Sequence, residues 1–314
     1  MKHLLTGLGL GIVFLTAWLF LLSSESAKDS KEANASTTEP IEDVLAPGQL
    51  PQKVRPVDLS GPFTFAGEEI PVSNFDVRER LDQELLRNAY FHRNTILLLK
   101  RRTRYFPTIE RILAEEGIPD DLKYLAVAES GLDNVVSVAG AKGVWQFMTA
   151  TGRGYGLEIN QEVDERYHLE KATRAACAYL KDYYEQFGDW RWVAAAYNMG
   201  GPNVKKWRDR QRAESVFDLD INSETMAYLF RIVALKTILK DPAAFGYEIS
   251  QEEHYAPLDG WQPLTVKKSI SNLGDFAKTH GTNYRTLKLY NPWLVAGSLP
   301  IRSGNSYEIL VPHE

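Results

Sequence analysis

Glu129 is the residue of this chain whose type and position most plainly suggest chemistry. Leu122, Leu125, Ala126 and Glu129 recur at the spacing of one helical face, and Pro119-Asp120-Asp121 ahead of them is a helix-start signal. The spacing therefore predicts a carboxyl on the stripe that faces the core. A carboxyl there loses solvation in its charged form, its pKa rises, and one still protonated near neutral pH can serve as a general acid. The alternative is a last-turn residue whose carboxylate bends out to water. Ser130-Gly131 is expected to end the helix. A polar loop then runs to Gly140-Ala141-Lys142-Gly143, where glycine permits close backbone approach, and on to Val144-Trp145-Gln146-Phe147-Met148. Trp145 and Gln146 offer stacking and hydrogen bonds to a polar ligand.

Two later stretches carry similar groups. Trp190 to Tyr197 reads as a helix that delivers Tyr197-Asn198 to its C-terminal end, where Gly200-Gly201 stops it, so Asn198 is either a C-cap or a ligand-binding amide. Ser223-Glu224-Thr225 opens a helix with Tyr228, Ile232 and Leu235 on one face, which makes Tyr228 either a core residue or a partner of the site. Asp164 and Glu165 are the rivals for a second carboxylate of the kind glycosidases use, against a structural role in their loop.

Three ordered blocks resemble those of the lytic murein transglycosylases, which share a goose-type lysozyme-like fold. They are Glu129-Ser130-Gly131 with Ser137 and Gly140 to Met148, then Ala195-Ala196-Tyr197-Asn198-Met199-Gly200, then Glu224-Thr225 with Tyr228. The resemblance covers roughly residues 75 to 240 and is closest to the membrane-bound type D enzymes. It implies a mainly α, lysozyme-like catalytic domain of the SLT type that acts on peptidoglycan glycan strands. It implies Glu129 as the catalytic acid and then base, with the bond between N-acetylmuramic acid and N-acetylglucosamine cleaved without water to leave a 1,6-anhydro end. Ser137, Gln146, Tyr197 and Asn198 are then expected to position sugars, and Tyr228 to orient Glu129. Two rival readings stand beside this one: a hydrolytic lysozyme on the same fold, and a non-catalytic glycan-binding tether, which has no need of a carboxyl on an apolar face.

Other classes find little support. The net charge of −5 is the wrong sign for a nucleic-acid footprint, and Lys100-Arg101-Arg102-Thr103-Arg104 is read as the solvated face of a helix. The 6 histidines show no metal-ligand spacing, and the lone Cys177 sits among small residues of a helical stretch, so neither a metal nor a cofactor is expected. Gly7, Gly9 and Gly11, like Gly152, Gly154 and Gly156, mimic a nucleotide fingerprint without a βαβ unit around them, and there is no G-x-S-x-G elbow.

The elements that must position these residues follow in order. Leu4 to Leu22 is an uncharged apolar run behind Lys2, at about 1.5 Å per residue long enough to cross a bilayer. Residues 1–22 are expected to be an anchor or a cleaved signal that places the rest on the periplasmic side of a bacterial membrane. No cysteine stands directly after the run, so a lipoprotein anchor of the kind seen in some relatives is not expected. Residues 23–59, rich in Ser, Glu, Ala and Pro, read as a disordered tether. Residues 60–106 read as an arm with β-like alternation and supporting helices, interrupted next at Pro107, and 107–240 as the catalytic domain. After a linker at 241–262, residues 263–314 show a β-α-α-β order that, with Asn291-Pro292, resembles a LysM module. Lys268-Ser269-Ile270-Ser271 replaces that family's usual glycine-aspartate turn, so the module is either a glycan binder or a degenerate copy packed on the catalytic domain. A monomer is expected.

Overall fold

A computed structural model describes residues 55–313. The Leu4–Leu22 run and most of the tether lie outside the described residues. Among the described residues no helix is long and apolar enough to cross a membrane. Val57 and Leu59, placed in the tether on composition, instead pack against the core.

The arm is a small hairpin of β1 (Thr64–Phe65) and β2 (Glu68–Glu69), turning through Ala66 and Gly67 at φ 53° and 84°. Its turn is tied down from a distance. The Ala66 N–H donates to Oδ2 of Asp121 at 2.8 Å, and the same oxygen accepts from Lys236 Nζ at 2.6 Å.

Helix α1 (Phe75–Tyr90) is capped by Asn74, whose side chain accepts from the Asp76 N–H, and buries Val77, Leu81 and Leu85. Helix α2 (His92–Glu115) runs unbroken through Pro107, which corrects the expected interruption there. Pro107 lies on the exposed side, where water can serve the carbonyl left without a donor, while Phe106, Ile109, Ile112 and Leu113 carry the apolar face straight past it. The basic run on α2 is not a merely solvated face either. Arg101 donates to the Gly131 carbonyl at 2.9 Å, Arg102 donates to the Leu239 carbonyl, and Arg104 Nε donates to the Ala256 carbonyl at 2.9 Å.

Asp120–Leu122 forms a 3-10 turn into α3 (Lys123–Ser130), which Gly131 ends at φ 63°. Then come α4 (Thr149–Gly154), α5 (Leu169–Phe187), α6 (Trp190–Met199), α7 (Gly201–Gln211) and α8 (Ser223–Lys240). Helix α8 is apolar nearly all round and packs against α1, α3 and α6, so it is the central rod of the helical body. The segment expected to be a linker is strapped across α1 and α2, with the Tyr255 N–H on the Lys100 carbonyl of α2 at 2.9 Å and Tyr247 hydrogen-bonded to the Ala89 carbonyl of α1.

The C-terminal module has the expected order: β3 (Trp261–Val266), α9 (Leu273–Thr279), α10 (Tyr284–Tyr290) and β4 (Tyr307–Pro312). Strands β3 and β4 pair antiparallel in the register Trp261↔Pro312 to Val266↔Tyr307, over a core of Leu273, Leu287, Leu294 and Ile309. The chain is mainly helical, with a small α+β domain at its end.

Candidate active site

Burial on α3 sets the electrostatics of Glu129. Leu122, Leu125 and Ala126 are fully buried beside it, and only the last turn of the helix approaches solvent. Desolvation pushes the carboxyl from an ordinary 4.5 up to about 7. The Tyr228 hydroxyl donates to Glu129 Oε1 at 2.6 Å and pulls the other way, without cancelling the effect. The nearby charge of Glu224 adds to the rise and that of Arg231 opposes it. Glu224 itself is ion-paired to Arg231 at 2.8 Å, which holds it below the usual carboxylate range. Tyr228 is buried and pushed well above its ordinary value, so it remains a donor. The carboxyl thus has one oxygen occupied and one left for a ligand.

The loop from Val135 to Met148 stands next to the end of α3. Ser130 Oγ donates to the Val144 carbonyl at 2.8 Å, joining the residue after Glu129 to the loop. Within it the Gly143 N–H bonds the Val135 carbonyl at 3.1 Å and the Lys142 N–H bonds the Phe147 carbonyl at 3.1 Å. Gln146 sits at φ 50°, and its side-chain amide donates to the Val135 and Gly143 carbonyls at 3.1 and 2.7 Å. Ser137 closes the loop's outer turn, accepting at Oγ from the Ala141 N–H at 3.0 Å. Trp145 is not the stacking surface its position in the motif suggested. Its ring is fully buried and Nε1 donates to Thr173 Oγ1 at 2.9 Å, because a loop this rich in glycine needs one large side chain to pin it to α5.

From α6, Tyr197 donates its hydroxyl to the Trp145 carbonyl at 2.7 Å, and its ring leads a row of tyrosines, Tyr179 at 5.4 Å and then Tyr183. Burial pushes the Tyr197 hydroxyl well above the ordinary value, and the Glu129 charge within electrostatic reach adds to the rise. Asn198 Oδ1 accepts from Thr225 Oγ1 at 2.7 Å, so the amide nitrogen of the same group is left over. Thr225 and Tyr228 lie one turn apart on α8, and that face therefore orients both Asn198 and Glu129. Tyr228 contacts Glu129 and Tyr197 lies within its electrostatic reach, with Asn198 next to Tyr197 on α6, while Gln146 is bonded within its own loop. Ser137 lies farther out on the loop.

Asp164 and Glu165 are occupied elsewhere. Burial pushes the Asp164 carboxyl up, but the Arg166 hydrogen bonds and the Arg166 and Lys142 charges outweigh it and hold it below the usual range. Glu165 is paired with Lys171 and accepts from the Glu158 N–H at 2.8 Å. Burial pushes the Cys177 thiol up to about 12, which makes it a poor nucleophile. Thr225, Arg101 and Arg166 are the supporting residues sequence reasoning missed. Only Thr225 carried a signal, its place in the block with Tyr228.

Two stretches of the chain match known protein families. Residues 107–219 match the transglycosylase SLT domain, and residues 262–314 match the soluble lytic transglycosylase C-terminal LysM-like domain. Membrane-bound lytic murein transglycosylase D of Escherichia coli (strain K12) is 29% identical over 259 residues, 80% of this chain and 55% of that protein. The chain thus spans about half the length of this relative. A protein of Alteromonas sp. (strain M-1) named for tributyltin chloride resistance is 24% identical over 162 residues, 50% of this chain and 78% of that one. The 70 kDa soluble lytic transglycosylase from Escherichia coli superposes with a TM-score of 0.39 at 24% identity, over 51% of this chain and 28% of its own.

Proposed function

We propose that this chain, which carries a transglycosylase SLT domain followed by a LysM-like domain, is a peptidoglycan lytic transglycosylase. The observation that carries the reading is the Glu129 carboxyl itself, raised to about 7 by burial and held at one oxygen by Tyr228. A group poised there is protonated often enough to act as an acid and, once ionised, basic enough to take a proton back.

The sequence of steps follows from having one such carboxyl. Glu129 protonates the oxygen between N-acetylmuramic acid and N-acetylglucosamine through the oxygen that Tyr228 leaves unoccupied. Positive charge develops at the anomeric carbon, where the sugar's own N-acetyl oxygen can meet it, as in substrate-assisted glycosidases. Glu224 is the acid whose charge reaches Glu129, and its pairing with Arg231 argues against a nucleophilic role. The ionised Glu129 then removes the proton of the muramoyl C6 hydroxyl, whose oxygen closes on the anomeric carbon to give the 1,6-anhydro ring. Tyr197, Asn198 and Gln146 position sugars beside the acid, and Ser137 does so from the loop's outer turn. Such positioning lowers a barrier by several kcal/mol, part of the roughly 8–23 kcal/mol that enzymes supply.

The catalytic unit is residues 107–240, working as a monomer. The apolar Leu4–Leu22 run, together with a relative named as membrane-bound, supports attachment to a membrane with the body on the periplasmic side. Mass spectrometry of digested murein tests the reading. Anhydro-muramic ends are expected. Reducing ends in their place indicate a hydrolytic lysozyme, and intact murein indicates a tether.

A further inference from the structure

We infer that the C-terminal module is a brace for the active-site loop, acting through the buried Asp164–Arg166 pair. The inference rests on the reading of residues 135–148 as the loop that holds substrate beside Glu129.

Residues 158–168 form a tight loop with two faces. On the outer face the module adds its own chain to the loop. The Asp164 N–H donates to the Trp293 carbonyl at 2.9 Å and the Val295 N–H donates to the Glu162 carbonyl at 2.9 Å, with Val163 and Leu294 bridged antiparallel between them. Val163 is buried in the module's core and not in that of the helical body, alongside Leu294, Trp293 and Leu287. Tyr307 reaches over from β4 to the Glu158 carboxylate at 2.9 and 3.1 Å.

On the inner face the same residues grip the active-site loop. The Asp164 carboxylate holds the Arg166 guanidinium through Nε at 2.8 Å and a terminal nitrogen at 2.7 Å, both side chains being almost fully buried. Arg166 spends its other terminal nitrogen on the Phe147 carbonyl at 3.2 Å, Thr149 Oγ1 at 3.1 Å and, at 3.4 Å, the Gly140 carbonyl. Lys142 crosses from the active-site loop to Asp164 at 3.4 Å. Gly143 presses on the Arg166 backbone so closely that a Cβ there would sit 1.9 Å from its carbonyl oxygen. One buried carboxylate therefore stands between two rigid contacts. Its backbone N–H is bonded to the module, and its side chain, through Arg166, fixes both ends of the segment that carries Gln146. A guanidinium fork held on one side by a carboxylate leaves its remaining donors pointing in one direction, which is how such a pair transmits position.

A module that only tethered glycan would leave the 135–148 loop indifferent to its docking. A brace makes the loop's order depend on it. Hydrogen exchange on the full chain separates the two. Val163→Ser loosens the seam without touching any residue placed in the site, and exchange of the Lys142, Gly143 and Gln146 amides is expected to speed up by about tenfold. Murein cleavage should fall by about tenfold in kcat/KM, since small displacements of positioning groups are costly. Arg166→Lys should retain more of both than Arg166→Ala, because it keeps the charge beside Asp164 but not the fork. Exchange in 135–148 that stays at the wild-type rate in Val163→Ser overturns the brace, whether or not the β3 and β4 amides also loosen. Should wild type fail to cleave murein, the functional reading falls, yet the exchange rates still decide this proposal.

Discussion

Tyr228 Oη lies 2.6 Å from Glu129 Oε1, a hydrogen bond between residues 99 positions apart that joins the second turn of α8 to the last turn of α3. The donor favours the ionised carboxyl and burial favours the protonated one, and burial prevails. The site is therefore a balance between a dry helix face and a single phenol.

Glu129→Gln keeps the shape and the Tyr228 contact but has no proton to give. Murein cleavage should drop by about 10³-fold or more with the far-ultraviolet spectrum unchanged. Activity within tenfold of wild type would remove Glu129 from the mechanism.

The same burial has a consequence for stability. Between pH 4.5 and about 7 the folded chain holds a proton on Glu129 that the unfolded chain has released. Stability should therefore fall as pH rises through that window and level off above it. Glu129→Gln abolishes this loss, so near pH 8 the variant should be the more stable by on the order of 2 kcal/mol in urea unfolding, with no difference at about pH 4.

Tyr228→Phe removes the one hydrogen bond that favours the carboxylate. The Glu129 pKa should climb beyond about 7, and the high-pH limb of the kcat/KM profile should move up with it. Because a carboxyl of higher pKa is the weaker acid in the first step, kcat near neutral pH should fall by about tenfold. An unmoved limb would show that the titrating group is not Glu129.

Thr225→Val leaves Asn198 Oδ1 without its donor and changes little else in shape. A cost of about 1 kcal/mol in stability is expected, with a several-fold rise in KM and kcat less affected. Steady-state kinetics on soluble glycan strands would read the split.

Gly143→Ala should be far more damaging than a typical loop substitution. The position has φ 80° and no room, so a loss of about 3 kcal/mol and a disordered 135–148 loop are expected in thermal unfolding and proteolysis.

Local periodicity and capping were legible from the residues. The apolar stripe ending in Glu129, the glycine stop at Gly131 and the β-α-α-β order of the last module all stand in the structure where spacing put them. Pro107 misled because a proline's effect depends on which side of the helix it faces, and Trp145 because a motif names a residue without its orientation. The basic run on α2 looked solvated because its acceptors are mostly backbone carbonyls, which no side-chain pattern announces.

By itself, the sequence determined the helices, their buried faces and the placing of a carboxyl on one of them, since period and caps act within a few residues. Only tertiary structure decided that Tyr228 would meet Glu129, that Thr225 would hold Asn198, and that Trp293 and Leu294 would dock against the Asp164 loop. Each of those is a meeting of segments far apart in the chain. Such partners are selected by how whole faces pack, and packing is a property of the assembled core that no single stretch contains.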